Sequence, residues 1–290
     1  LKELPKSLTI IGAGYIGLET ATIFNEFGVK VRVVEMMDRI LPTMEPRLSG
    51  KLRALLDPNI EIILNARVEE IKKYDGKYEV IYTQHEIKKT VKSDLVLMAI
   101  GRKPVVPQRT QEIGINVKEG KIIVNNALQT NIPHIYAPGD VNGASMLFHS
   151  AVRQSLVAAN NIMAGNHPID YMNFDAVPTT VFTFPKIAYV GLMPSIAKEK
   201  CVELVETDYQ FKVDSRAQIF DEMEGEIREF FDVRTMRLVG AWVVGIDADN
   251  LIGELGIAIA NGLNVKDIAE FANQHPMSSE GISKAARKLL

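Results

Sequence analysis

The chain has 290 residues, 47% of them hydrophobic and 24% charged, the balance of a water-soluble globular protein with room for about two domains. A net charge of −3 without a basic run excludes a nucleic-acid groove as its organising feature, and no apolar stretch approaches the roughly 18 residues of a membrane span. Its one cysteine, Cys201, excludes an intrachain disulfide; the absence of a signal peptide predicts a cytoplasmic protein, and the start at Leu1 without Met predicts a piece of something longer.

Leu8–Ile11 is an apolar run too short for a helix and predicts a buried strand. Gly12, Gly14 and Gly17 follow as G-x-G-x-x-G, and apolar residues at helical spacing (Ile16, Ala21, Ile23, Phe24, Phe27) predict a helix from Tyr15 to Phe27, stopped by Gly28. Val31, Val33 and Val34 predict the next strand, with Glu35 at its end, 18 residues after Gly17. Each position suits a dinucleotide. The first glycine allows the turn, the second lets backbone approach a pyrophosphate, and the third brings helix and sheet together. The helix start offers N–H groups to the phosphates. An acid at Glu35 can accept from a ribose 2′-OH and repels a 2′-phosphate, so NAD is favoured over NADP. The alternative is glycines that serve only a tight strand–helix turn.

A helix is predicted from about Arg47 to Leu56, and a parallel strand over Asn59–Leu64. Val68–Tyr74, Lys77–Thr83 and Glu86–Val91 alternate around an Asp75-Gly76 turn and predict a β-meander. Asp94–Ile100 is a further strand running into Gly101, which closes a nucleotide-binding domain of Rossmann type at residues 1–105.

Beyond it, short strands are predicted at Lys121–Val124 and His134–Ala137, the second ending in Pro138-Gly139-Asp140, with a helix over Leu147–Ala164. An acid and a helix start there could meet a second phosphate-rich ligand, although Gly-Asp is also a common loop filler. From Tyr171 the pattern is α+β. Strands are predicted at Val177–Thr183, Ile187–Gly191 and Val202–Tyr209, with a hairpin of Gly225–Phe231 and Met236–Val244. Helices are predicted at Ser195–Lys200, Asp249–Asn261, Val265–Phe271 and Gly281–Leu290.

Four motifs in this order, GAGYIGLE (12–19), AIGRKP (99–104), TNIPHIYAPGD (130–140) and HPMSSE (275–280), resemble the class I pyridine nucleotide–disulfide oxidoreductases, most closely their dihydrolipoamide dehydrogenase group. The resemblance covers essentially the whole chain. It implies an NAD-binding domain (1–105), the C-terminal part of an FAD-binding domain (106–170) and an interface domain for a homodimer (171–290). It also implies that the first flavin G-x-G-x-x-G and the redox disulfide lie in a part not present here, so that this chain alone is inactive. Cys201 is expected to be a small packed residue.

By resemblance, Gly12, Gly14 and Gly17 hold the NAD pyrophosphate, Glu35 the adenosine ribose, and Gly101 passes the nicotinamide side. Val68 would pack on adenine, or be a strand-core valine. Tyr15 would be an aromatic gate at the flavin, or an exposed helix-start aromatic. Glu19 resembles an acid that meets a lysine outside this chain and is expected here as an unpaired surface acid. Asp140 would meet the flavin ribitol, and the backbone of Met146, Leu147, Phe148 and His149 would lie by the flavin pyrimidine edge, with the His149 side chain structural. Pro138 and Met277 stand where the family usually has Thr. His275 would take a proton from a dithiol while Glu280 orients the ring, the pair serving the other subunit; from spacing alone, His-Pro before a helix also reads as a capping turn.

The implied reaction is dihydrolipoamide + NAD+ to lipoamide + NADH, with a lipoyl-bearing protein or small disulfide as partner and with no metal. The alternatives are a non-catalytic NAD-binding dimerisation module, or a glutathione-type, mercuric or coenzyme-disulfide reductase or transhydrogenase of the same fold. Glu35 counts against the NADP users, and the absence of a C-terminal cysteine pair counts against a mercuric reductase.

Overall fold

The computed structural model describes residues 1–165 and 167–290. Strand β1 (Ser7–Ile11) runs parallel to β2 (Lys30–Val34), and the two are joined over helix α1 (Tyr15–Glu26). Leu8, Ile10, Val31 and Val33 are fully buried, and Leu18 and Ala21 of α1 pack in the same core. Helix α2 (Pro46–Leu55) begins with proline at its first turn, where a missing N–H costs nothing, and Glu45 caps it by accepting from Arg47 N. Strands β3 (Glu61–Ile63), β4 (Ala66–Tyr74), β5 (Lys77–Gln84), β6 (Ile87–Ser93) and β7 (Leu95–Met98) follow. β3, β2, β1 and β7 form a parallel sheet in that order, and β4-β5-β6 form the antiparallel meander. Asp75 and Gly76 both take positive φ (48° and 72°), the left-handed pair that a two-residue hairpin requires.

Arg102–Val177 is a compact unit of its own. The strand expected at 121–124 is shortened to 121–122, and the one expected at 134–137 is reduced to a single bridging residue. A two-stranded ribbon, β8 (Val117–Lys118) with β9 (Lys121–Ile122), and a single bridge between Gln129 and Tyr136 stand in their place. The apolar residues there serve a small cluster around Ile115, Ile122 and Ala137, which needs no extended ladder. Helix α3 (Phe148–Met163) turns a partly polar face inward: Ser150, Gln154 and Asn161 are buried beside Val157 and Ala158.

Pro178–Leu290 forms one compact unit with Leu1–Gly101. Its elements are β10 (Thr179–Val181), β11 (Ile187–Gly191), α4 (Pro194–Glu199), β12 (Leu204–Gln210), α5 (Ser215–Phe220), β13 (Glu226–Asp232), β14 (Leu238–Val244), α6 (Ala248–Ala260), α7 (Val265–Ala269) and α8 (Glu280–Arg287). The sheet is antiparallel, ordered β10-β11-β14-β13-β12. Alternation along β13 sends Ile227 and Phe231 toward the core that holds α6, α7 and α8, and sends Phe230 to the core shared with β1 and α2. Strand β10 is shorter than expected from Val177–Thr183, and α5 appears where no element was expected. Cys201 is exposed rather than packed, because it lies in the turn after α4 with φ +54°.

Candidate functional site

The glycine turn is built on contacts that only hydrogen can satisfy. Gly12 has φ +100°, and a Cβ there would lie 2.5 Å from Ala99 O at the end of β7. A Cβ on Gly17 would run into Gly12 O, so this glycine sets how closely α1 meets the turn. A Cβ on Gly14 would meet nothing within 4 Å, which leaves the backbone open to an approaching group. The first turn of α1 offers N–H groups that no earlier turn of the helix can satisfy, with the positive end of its dipole behind them.

Glu35 lies at the end of β2, 7% exposed. Its Oε2 accepts from Ala13 N at 2.7 Å inside the glycine turn, and its Oε1 accepts from Met37 N at 2.8 Å. One carboxylate thus ties the two loops at the ends of β1 and β2. A carboxylate has about four acceptor positions, so capacity remains for hydroxyl donors. Gly101 has φ +107° and open space around it. Val68 is half-buried against Val34, Ala66 and Tyr82, beside a bulge in β4.

Two expectations near the turn need correction. Tyr15 is not an exposed aromatic: it is half-buried, and its hydroxyl lies 3.0 Å from that of Tyr189 on β11. Burial, together with the Tyr189 hydroxyl, pushes the phenol of Tyr15 far upward. Glu19 is not unpaired either, because its Oε1 accepts from Phe182 N at 3.0 Å. The sequence could not pair these residues, since each contact spans more than 160 positions (|i−j| of 174 and 163).

In the unit Arg102–Val177, Asp140 is exposed on a short 3-10 turn, Asp140–Asn142. Buried Gln154 of α3 anchors that turn: its Oε1 accepts from Gly139 N at 2.8 Å and from Asn142 Nδ2 at 2.7 Å. Leu147 opens α3, Phe148 is 85% exposed at its first position, His149 follows, and Met146 O accepts from Arg102 at 3.2 Å.

His275 and Glu280 are together. His275 Nδ1 lies 2.9 Å from Glu280 Oε1, which also accepts from Met277 N at 3.3 Å. Glu280 Oε2 pairs with Lys284 Nζ at 3.1 Å. Burial pushes the Glu280 carboxyl up, but the bonds from Lys284, His275 and Met277 outweigh it and hold the group below the usual carboxylate range. The side chain of His275 is 70% exposed, so a ring whose Nδ1 faces Glu280 has Nε2 toward solvent. Ser279 precedes α8 without a side-chain cap, and Glu280 also holds the turn before the helix through Met277 N.

The family described as pyridine nucleotide-disulphide oxidoreductase matches residues 1–155, and its dimerisation domain matches residues 177–286. The chain belongs to this family.

Dihydrolipoyl dehydrogenase of Buchnera aphidicola subsp. Acyrthosiphon pisum is 34% identical over 289 residues, 99% of this chain and 60% of that protein. The Bacillus subtilis dihydrolipoyl dehydrogenase is 32% identical over 290 residues, again 99% of this chain and 61% of that protein. Among solved structures, LpdA of Mycobacterium tuberculosis superposes with a TM-score of 0.91 at 27% identity, covering all of this chain and 63% of that one. The copper(II) complex of RclA, an HOCl-induced flavoprotein disulfide reductase from Escherichia coli, gives 0.87 at 26% identity, with 100% and 65% covered. The chain therefore spans about 60% of the length of the curated relatives it matches.

Within this family fold, sequence reasoning missed Gln154, Lys284 and Tyr189. Lys284 carried a signal, since it stands four residues after Glu280 and so shares a helix face with it. Gln154 carried a weaker one, a polar residue on the apolar side of α3. Among the described residues no group of three His, Cys, Asp or Glu is placed to hold a metal, and no helix is long and apolar enough to cross a membrane.

Proposed function

We propose that this chain supplies the NAD-binding, flavin-completing and dimerising parts of a dihydrolipoyl dehydrogenase, which converts dihydrolipoamide and NAD+ to lipoamide and NADH. The observation that carries the nucleotide part is the Glu35 carboxylate seated against the open glycine turn. The dihydrolipoyl dehydrogenases among its relatives support the substrate.

The residues present fit NAD. Gly12, Gly14 and Gly17 would admit the pyrophosphate to the helix start, Glu35 would accept from the adenosine ribose, Val68 would flank adenine, and Gly101 would pass the nicotinamide. Tyr15, tethered to Tyr189, and Glu19, tethered to Phe182, would border the nicotinamide end. They also fit part of an FAD site: the exposed acid Asp140 would meet the ribitol, and the backbone of Met146, Leu147, Phe148 and His149, at the start of α3, would face the flavin ring. When bound, NAD and FAD would supply the hydride and two-electron chemistry.

The protein's own part in that chemistry would be proton handling. With Nδ1–H directed at Glu280, the exposed Nε2 of His275 would receive the proton of a dithiol substrate, and the carboxylate would stabilise the imidazolium. The 290 residues contain one cysteine, so the disulfide under attack has to come from outside them. His275 and Glu280 would serve it across a homodimer, in keeping with the dimerisation domain.

The test is titration of the chain with NADH, followed by nicotinamide fluorescence. Glu35→Gln, which keeps an acceptor for the turn, is expected to weaken NADH about tenfold, within the range for one charged hydrogen bond, and to weaken NADPH less. Unchanged NADH affinity in Glu35→Gln would remove the ribose assignment.

A further inference from the structure

The loop between His275 and Glu280 has one strong anchor outside itself. Ser278 is 1% exposed, and its hydroxyl donates to Asp247 Oδ2 at 3.0 Å. Asp247 lies just before α6, in the left-handed conformation at φ +54°. The same oxygen accepts from Arg216 Nε on α5 at 2.8 Å. The guanidinium of Arg216 in turn reaches the Met277 sulfur, 3.7 Å from Nη1. Two residues of the loop are thus held from one side by an acid–guanidinium pair, while Glu280 holds Met277 N and His275 from the other.

We propose that Asp247 is a positioning residue for His275, acting through Ser278, with Arg216 fixing the Asp247 carboxylate. This rests on the reading of His275 as the proton acceptor. The physical case is one of geometry. His275 is largely exposed and its ring has one strong partner, the Glu280 carboxylate, so its orientation depends on the path of the backbone between the two residues. Glu280 starts α8, which is packed on β12 and β13, whereas His275 sits outside that packing. The Ser278–Asp247 bond pins the middle of the connecting segment to an element that neither residue belongs to. Released, the segment keeps its ends but loses the one conformation that brings Nδ1 to 2.9 Å from Oε1. The Nδ1–H tautomer, which leaves Nε2 as the proton acceptor, is set by that contact.

The measurement is the tautomer ratio of the neutral His275 ring in the chain, from long-range proton–nitrogen NMR correlation at alkaline pH. It reads ring orientation without any assay of activity. The native protein is expected to show mainly the Nδ1–H form. Ser278→Ala removes the donor, and Asp247→Gly removes the acceptor while tolerating the positive φ. Each is expected to shift the ratio toward Nε2–H by about fivefold, the equilibrium change of one ordinary hydrogen bond. Asp247→Asn keeps an acceptor oxygen, suits the left-handed backbone and is expected to hold the native ratio.

The near-UV signal of Trp242 shows which variants are folded, and either deletion variant suffices. A folded Ser278→Ala or Asp247→Gly protein with the native ratio would overturn the proposal. A native protein already dominated by Nε2–H would overturn it by a different route, because the His275–Glu280 pairing itself would then be wrong. NADH binding, read separately, is expected to be the same in all four proteins.

Discussion

Strand β13 buries two carboxyl groups three residues apart, and its pleat sends them to opposite faces. Glu226 points toward β1 and α2 and meets donors from every side. Arg228 Nε lies at 3.0 Å, Lys51 Nζ at 3.0 Å, Trp242 Nε1 at 3.1 Å and Gln210 Nε2 at 2.9 Å. Burial works to raise it, but the bonds from Arg228, Gln210, Trp242 and Lys51 prevail and bring it down to about 2. Glu229 points the other way, between Ile227 and Phe231, with Thr207 and Ala241 as its cross-strand neighbours. Neither of its oxygens has a hydrogen-bond partner, and burial alone pushes it well above the usual carboxylate range. Two acids with the same exposure class and the same strand therefore differ in sign. Partners, not depth, decide whether a buried acid is an anchor or a burden.

The largest effect expected from breaking this contrast is on the partnered side. Glu226→Ala would leave Arg228 and the indole N–H of Trp242 buried without their main acceptor, at a cost of about 3–5 kcal/mol in urea unfolding. The pH dependence has a definite sign. With its folded value below the unfolded value of roughly 4.3, Glu226 contributes stability above that pH and loses it as pH falls toward about 2. Glu226→Gln is expected to flatten the acid limb of a stability–pH curve, and an unchanged limb would count against the anchor.

The unpartnered side is expected to respond in the opposite direction. Glu229→Met removes two unsatisfied oxygens and is expected to stabilise the chain by about 1–3 kcal/mol. A carboxyl raised in the folded state contributes most below its unfolded value, and its contribution is lost as pH rises through its folded value. The gain from Glu229→Met is therefore expected to grow as pH rises above the unfolded value of roughly 4.3 in the same urea series. A gain that does not change with pH would mean that the carboxyl is not held neutral.

These two acids also mark what was legible in the sequence. The glycine turn, α1 and β2 could be read directly, because their logic is local: three glycines, a helical period and an acid at the right distance. The meander was legible for the same reason, with Asp75-Gly76 at its first turn. The His275–Glu280 pair was reached through a resemblance, since spacing alone allowed a capping turn. Helix α5 had a signal that went unread, Asp214 as its N-cap accepting from Ala217 N. The short strands of 102–177 were over-read, because apolar runs there fill a small cluster and extend no further as sheet than the two-stranded β8–β9 ribbon. Tyr15–Tyr189, Glu19–Phe182 and Ser278–Asp247 could not be read at all: they join residues that only the tertiary fold brings together.

The smallest expected effect comes from the exposed rim of the Glu226 cluster, and it sharpens the contrast most finely. Arg47 on α2 makes two bonds to Glu206, at 2.8 and 3.1 Å, and its guanidinium lies 5.2 Å from the centre of the Trp242 ring. Arg228 lies 5.7 Å from the same ring and 3.1 Å from the same Glu206. The geometry resembles that around Glu226, yet Arg47 and Glu206 have side-chain exposures of 45% and 40%, so water and salt screen their attraction. Arg47→Met, which keeps an apolar stem against the indole, is expected to cost less than about 1 kcal/mol and to cost less still at high salt. A loss as large as that of Glu226→Ala would mean that the ring contacts hold α2 to the sheet, and that the buried carboxylate is not the centre of the cluster. A small, salt-sensitive loss would place the stabilisation where water is excluded, at Glu226 and the donors aimed at it.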